Sequence, residues 1–425
     1  MAADAIVAEV RLWDRRVGAV AEDPAGVVYF EYDPEFTRSG LELSPRHLPL
    51  GRRGPVRFPE LSRLEAFLGL PGVLADALPD RFGNAVIQEY FTRAGRPDDA
   101  LSPVQRLLYV GRRAIGALEF LPPVDLAPGA AEALQIAQLV QQARAVVAGR
   151  HDVAIPAIMR VGASAGGARP KALILWNPKT GAVRSGFAPP EPGDQPWVIK
   201  FDGVGELEAP DPKPQPYNRI ELAYNAMARE AGLDTTETRL LEERRLAHFL
   251  SRRFDLDGAG RLHHHTLGGL DHADYNAPGS YSYEQYLQVC RDLGLPPAAL
   301  EEAFRRAAFN VAAVNQDDHV KNLAFLMDRE GRWRLAPAYD LTFARGAGFT
   351  RRHQMTLGGK TDGFVRADLL RLGAGIGLRK SGTDVLDRVL DAVADWPRFA
   401  RPARVPAALA RRIGQAHRAK ALRAT

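Results

Sequence analysis

Hydrophobic periodicity changes once along this sequence, near Asp255, and no single motif limits the fold as strongly. Up to that point apolar residues mostly alternate with polar ones in short runs that end at turn residues, the pattern of half-buried antiparallel strands. Over the first 60 residues AIVAEVRLW leads through DRRV, read as a turn, to GVVYFEYD. A helical stretch is expected around Leu61 to Ala94, containing LPDRFGN. A strand-like pair in LLYVGRRAIGALEFLP, a break at Pro122 to Gly129 and a helix from Ala131 to Val147 follow. Between Ala157 and Asp202, AIMRVGA, KALILW and QPWVIKFD read as strands of a small antiparallel sheet, divided by NPKTG and APPEPGDQP. The Pro-rich APDPKPQP precedes a helix from about Arg219 to Ala231. After the hairpin-like RFDLDGAGRLHHH the pattern is helical to the C-terminus, apart from two strands flanking DREGR. The expected class is α+β, with a β-rich N-terminal part and a mainly helical C-terminal part.

A chain of 425 residues that is 46% hydrophobic buries more than one core. Its net charge of +5 is unevenly placed: Arg398 to Thr425 holds seven Arg, one Lys and no acid, a segment suited either to nucleic acid or to a solvated helix face. The single cysteine, Cys290, excludes an internal disulfide framework and any CxxC site, and reads as a small buried helix residue. His263, His264, His265 and His272 read as a polar loop, because adjacent histidines do not face one ion and no cysteine supports them. With no basic segment leading into an apolar one at the N-terminus, and no run of 18 apolar residues, a cytoplasmic location and no membrane partner are expected.

The chemistry concentrates in NQDDHVKN, Asn315 to Asn322. Its approach, LEEAFRRAAFNVAAVN, repeats Leu300, Phe304, Ala307, Ala308, Val311 and Val314 at helical spacing, so the polar octet ends a buried helix. Asp317 and Asn322 have four residues between them, the D-x-x-x-x-N spacing of a protein-kinase catalytic loop and also an ordinary feature of polar turns. LAFLM, DREGR and WRLAPAYDLT then form a hairpin that returns Asp340, preceded by Tyr339, toward the loop. An amide oxygen and a carboxylate suit Mg²⁺, which takes a few protein oxygens together with phosphate and water. In WVIKFD, Lys200 stands in an apolar strand, comparable with the V-A-I-K pattern that serves nucleotide phosphates, or is a lysine guarding a sheet edge. Glu221 is open to two roles, as partner of Lys200 or in a capping box with Asn218. VGASAGGARPK lacks the Walker A pattern. Its three glycines still suit close backbone approach to phosphate, with Arg169 or Lys171 as counter-charges and Ser164 as the only hydroxyl.

Together these residues resemble the HipA family, serine/threonine kinase toxins of bacterial type II toxin–antitoxin modules. FEYDPEF, LPDRFGN and YVGRRAIGALEFLP are similar to the family's N-terminal subdomain, and SAGGARPK to its phosphate loop. The resemblance places the autophosphorylated serine on Ser164 and nucleotide contacts on Gly166, Gly167, Ala168, Arg169, Pro170 and Lys171. It places the ATP lysine on Lys200 and a helix acid on Glu221. The adenine segment falls on Arg252, Arg253 and Phe254, where Arg252 replaces the Glu common in relatives. DDHVKN resembles D-x-H-x-K-N, which puts the base on Asp317, residues near the nucleotide at His319, Val320, Lys321, Asn322 and Tyr339, and magnesium on Asn322 and Asp340.

The resemblance implies a bilobal protein-kinase-like fold with an extra N-terminal subdomain, divided as 1–125, 126–254 and 255–425. It also implies ATP and Mg²⁺, a helix-turn-helix antitoxin of the HipB type that binds operator DNA, and a translation component such as an aminoacyl-tRNA synthetase as protein substrate. Two other functions fit the residues: a small-molecule kinase, and a DNA-associated corepressor-like partner of an antitoxin with little kinase activity.

Overall fold

Two residues at positive φ, Trp13 (49°) and Asp14 (63°), turn β1 (Ile6–Leu12) into β2 (Arg15–Glu22). Positive φ at both residues is the mark of a two-residue type I′ hairpin connection, and Arg15 to Val17, expected in the turn, already lie in a strand. This computed structural model describes residues 5–93, 101–124, 134–149, 158, 169–204, 215–378 and 380–424. The chain divides into two compact units, one comprising Met1–Gln215, Arg239–His265 and Met327–Gly331, the other Pro216–Thr238, Thr266–Leu326 and Arg332–Thr425.

In the first unit, β3 (Val28–Tyr32), β2, β1 and β4 (Leu118–Leu121) form an antiparallel sheet in that order. Ala8, Val10 and Leu12 are fully buried at every second position of β1, as the alternation requires. The helix expected over Leu61 to Ala94 is interrupted: turns with one short helical segment, Gly72–Ala75, lead to Pro79, and α1 (Arg81–Arg93) starts anew where Asp80 Oδ1 accepts from Gly83 N (2.7 Å). LLYV is likewise not a strand. It ends α2 (Pro103–Val110), which a Ser102/Gln105 capping box and a proline in its first turn start.

Helix α3 (Ile136–Val147) packs under a second antiparallel sheet of β5 (Lys171–Trp176), β6 (Val183–Ser185), β7 (Gln195–Lys200), β8 (Thr238–Glu243) and β9 (Leu246–Arg252), ordered β6-β5-β7-β9-β8. Leu139, Val140 and Ala143 of α3 meet Ile174, Trp197, Ile199 and Leu250 in one core. Of AIMRVGA, expected as a strand, only Ile158 falls within the described residues. Its backbone is helical, and its N–H donates to the Gln142 side chain (2.9 Å). Of the histidines expected in a polar loop, His263, His264 and His265 lie in β10 (His263–Thr266) instead, and His272 is in a turn. His263 and His265 are fully buried, with His265 between Asp76 (2.6 Å) and Ser44 (3.1 Å). With Ser44 and His265 buried and the Asp76 side chain only 5% exposed, this Ser-His-Asp set holds structure and presents no nucleophile.

The second unit is built on α4 (Tyr217–Glu230), α5 (Tyr283–Asp292) and α6 (Pro297–Ala313), with Tyr224, Phe304, Phe309, Leu390 and Trp396 among its buried residues. Cys290 is buried on α5, as read from the sequence. The hairpin after the polar octet is β11 (Ala324–Met327) with β12 (Trp333–Leu335). From Ala336 to Val365 the chain is largely irregular, against the expectation of strand as far as Thr342 and of helix beyond it; the strand expected over WRLAPAYDLT ends at Leu335. Five glycines between Gly346 and Gly363 and the proline in APAYD break the helical period there. Helices resume with α7 (Arg366–Gly375) and α8 (Lys380–Ala394). Among the described residues no helix is long and apolar enough to cross a membrane.

Candidate active site

Seventeen residues of α6 carry the chain through the core and stop at Val314, whose φ of 57° and ψ of 45° place a β-branched residue in the left-handed region. That conformation is costly without glycine, and it redirects the backbone abruptly. The polar octet therefore leaves the helix end as a loop. Asn315 to Ala344 is a parallel bridge, and Gln316 N donates to Ala344 O (3.0 Å).

Asp317 and Asp318 then part company. The Asp317 side chain is 45% exposed, with His319 Nε2 3.9 Å from its Oδ1. Asp318 is buried, and each of its oxygens is engaged: Oδ2 accepts from Tyr283 Oη (2.6 Å) and His353 Nδ1 (2.7 Å), and Oδ1 from Gln354 N (2.7 Å). Burial opposes its charge, but His353 and these hydrogen bonds outweigh it and hold the carboxyl below its ordinary pKa. Burial first, and then the Asp318 charge, push the Tyr283 phenol well above its ordinary value, which keeps it a donor. Asn310 Nδ2 donates to Tyr283 Oη (3.2 Å) and Asn315 Nδ2 to Asn310 Oδ1 (3.0 Å), so α5, α6 and the loop share one network.

The end of the octet is a tight turn over Val320–Asn322. Asn322 N donates to His319 O (2.9 Å) and Asn322 Nδ2 to Asp317 O (2.9 Å). With its amide nitrogen spent inside the loop, the amide oxygen is the end of Asn322 suited to a cation. Tyr339 Oη donates to Lys321 O (2.5 Å), which ties the segment carrying Asp340 to the turn carrying Asn322. Asp340 itself has a φ of 52°. Lys321 Nζ lies 4.7 Å from the Tyr275 ring centroid and the His319 ring 5.7 Å from it, so one aromatic supports both. Asn310, Asn315, Asp318, Asn322 and Tyr339 line a cavity with room for about one water. An amide and a carboxylate carried on tied segments suit a magnesium ion bearing phosphates. Among the described residues no cluster of His, Cys, Asp and Glu offers an alternative metal site.

In the first unit, Lys171 and Lys200 are directly opposite across β5 and β7. Paired residues share a sheet face, here the face away from Trp197, Ile199 and α3. Both are buried; Lys171 Nζ is 3.8 Å from Asp80 Oδ2, and Lys200 Nζ is 5.6 Å from the Phe249 ring centroid. Arg169 and Pro170 lead into β5, and Pro170 O accepts from Phe201 N (3.0 Å). The other loop residues, Ser164, Gly166, Gly167 and Ala168, lie outside the described residues. Arg252 ends β9 with its guanidinium 5.4 Å from the Trp197 ring centroid. Arg253 is committed to a bidentate pair with Asp255 (3.0 and 2.7 Å), and Gly116 N donates to Asp255 (2.8 Å), while the Phe254 ring lies 6.1 Å from His264.

Glu221 is buried on α4. Pro216 stands at the N-cap and no side chain caps this helix, so the capping box with Asn218 does not form. Sequence reasoning left Asp318 without a role and missed Tyr275, Tyr283, His353 and Gln354. These come from segments far apart in the chain, and only the doubled acid of DDH hinted that one carboxylate had another task.

The fold and this loop define an α+β protein of two units whose second carries a half-exposed carboxylate on a braced polar loop. A family model described as the HipA-like C-terminal domain matches residues 163–397, and one described as the HipA N-terminal domain matches 8–121. The chain belongs to the HipA family. Among solved structures, a chain of the Shewanella oneidensis MR-1 toxin–antitoxin complex of HipA, HipB and operator DNA matches with a TM-score of 0.67 and 18% identity, over 96% of this chain and 95% of that one. That similarity establishes the fold. A Helicobacter pylori proinflammatory kinase, CtkA, matches with a TM-score of 0.32 and 12% identity, over 53% of this chain and 82% of that one.

Proposed function

We propose that this protein is a Mg-ATP-dependent serine/threonine protein kinase and the toxin of a type II toxin–antitoxin module. The observation that carries the reading is the Asp317–Asn322 loop: a carboxylate left half-exposed on a loop whose neighbours are buried and bonded. Such a carboxylate orients and deprotonates an acceptor hydroxyl, while most of the remaining catalysis in phosphoryl transfer is positioning and charge stabilisation. Asn322 and Asp340 would hold magnesium, which neutralises charge developing on the phosphates. Lys200, with Lys171 on the same sheet face, would take the α- and β-phosphates, and Arg169 and Pro170 would continue the phosphate loop. His319, Val320, Lys321 and Tyr339 shape the nucleotide side of the loop. Because the Arg253 guanidinium is spent on Asp255, the segment from Arg252 to Phe254 would serve the base through its backbone.

Family membership supports the toxin role, and the solved Shewanella complex supports a HipB-type antitoxin and operator DNA as partners. An aminoacyl-tRNA synthetase is the proposed class of protein substrate, with Ser164 as the autophosphorylation site. Autonomous DNA binding by the basic tail is less favoured: Arg398, Arg418 and Arg423 pair with Glu230, Asp362 and Asp391 of the same unit. Phosphoproteomics of cells expressing wild type against Asp317→Ala tests the activity and the substrate class together. Phosphosites specific to wild type on a translation protein are expected. Identical phosphoproteomes overturn the reading.

A further inference from the structure

Between the site and α7 runs a stretch from Leu341 to Thr361 that contains no acid. Within it Arg345, Arg351 and Arg352 are exposed, and Phe349 is exposed to 62%, the highest value for a large hydrophobic among the described residues. None of the three guanidinium groups has an acidic partner among the described residues. The exposed Phe349 ring and three guanidinium groups without acidic partners among the described residues leave this loop free to meet a partner of opposite charge.

The loop is nevertheless held in shape. Gly346 N donates to Thr350 O (3.1 Å) and Arg351 N to Gly348 O (3.0 Å). The buried Gln354 amide donates inward to Phe349 O and to Arg352 O (3.3 Å). Its two ends are fixed to the residues on either side of Asp317. Ala344 bonds Gln316 N on one side, and His353 and Gln354 bond Asp318 on the other. Whatever the loop holds is therefore held beside Asp317, and a shape fixed in advance lowers the ordering cost of binding.

We propose that Arg345–Arg352 is the docking loop for the acceptor, and that it takes a protein segment rich in Asp and Glu with an apolar residue against Phe349. The proposal deepens the kinase reading and rests on it for the word acceptor. Charge complementarity selects the occupant, with three unpaired cations and no anion on the loop. A peptide is favoured over nucleic acid because the position beside Asp317 calls for a Ser or Thr hydroxyl in the bound segment.

Fluorescence polarisation with the full-length protein tests this without requiring catalysis. The probes are two short labelled peptides with a central serine and a leucine, one flanked by Asp and Glu, the other by Lys at the same positions. Wild type is expected to bind the acidic peptide about tenfold more tightly, with the difference shrinking as salt rises. Combined Arg345→Glu, Arg351→Glu and Arg352→Glu is expected to reverse the preference, and Phe349→Ala to weaken binding to the acidic peptide. Since all four side chains are exposed, folding is retained, which a thermal melt verifies. Equal binding of both peptides, or a preference untouched by the substitutions, overturns the proposal. So does binding of labelled duplex DNA or tRNA that the same substitutions abolish while peptides do not bind. If the acidic peptide binds as expected but no phosphate is transferred from Mg-ATP to any peptide, the docking surface stands and the kinase reading falls.

Discussion

Asp317 and Asp318 are neighbours with opposite environments, and the residue scale turns on that difference. Asp317 faces water over nearly half of its side chain, whereas Asp318 is buried against Tyr283, His353 and Gln354. Removing the buried carboxylate strands three donors, so Asp318→Ala is expected to cost about 3 kcal/mol of stability, measured by chemical denaturation. Asp318→Asn, which keeps an acceptor oxygen, should recover part of that loss. Asp317→Ala, at a half-exposed position, should leave stability within about 0.5 kcal/mol of wild type while activity disappears. The spacing to Asn322 singled out Asp317, and it is the half-exposed acid of the pair. What its neighbour does was not legible, because its partners lie 35 and 36 residues away in the chain and burial is a property of the folded molecule.

Among the elements, local signals were read well where the period was long and poorly where capping decided. The period of α6 was plain from Leu300 to Val314, and its end is where the sequence turns polar. LLYV was read as a strand because four apolar residues carry no period, and the capping box upstream of them settles the matter in favour of helix. The irregular chain from Ala336 to Val365 was missed because a strand was extended through APAYDLT and a helix across the glycines beyond it. Helix α5 links capping to the site, since Ser282 and Gln285 form a capping box that sets Tyr283 at its first position. Ser282→Ala is expected to lower stability by about 1 kcal/mol. If the network works as a unit, coupling to Asp318→Asn in a double-mutant cycle should exceed about 0.5 kcal/mol.

For the molecule as a whole, α+β order and family membership were legible from motifs spread along most of the chain, while the buried histidines were not. Burial, ahead of all other causes, lowers His248 to about 4, His263 to about 3 and His417 to about 4. Above about pH 6.5 these groups are neutral folded and unfolded alike, so they give stability no pH dependence there. As the pH falls below that, the unfolded chain takes up protons that the fold refuses, and stability drops by up to about 1.4 kcal/mol per pH unit for each histidine. Melts at about pH 7.5 and about pH 5 should therefore show marked acid destabilisation, reduced by His417→Gln or His248→Gln relative to each variant's own value at the higher pH.

The central claim is that the half-exposed carboxylate on the α6 loop is the base for phosphate transfer from ATP to a hydroxyl. Purified full-length protein incubated with radiolabelled ATP and Mg²⁺ measures it directly, with protein-bound label as the readout. Wild type is expected to incorporate label, and Asp317→Ala, folded by its melt, to lose roughly a hundredfold or more of that rate. Equal labelling of the two proteins, or none in wild type with ATP bound, contradicts the account.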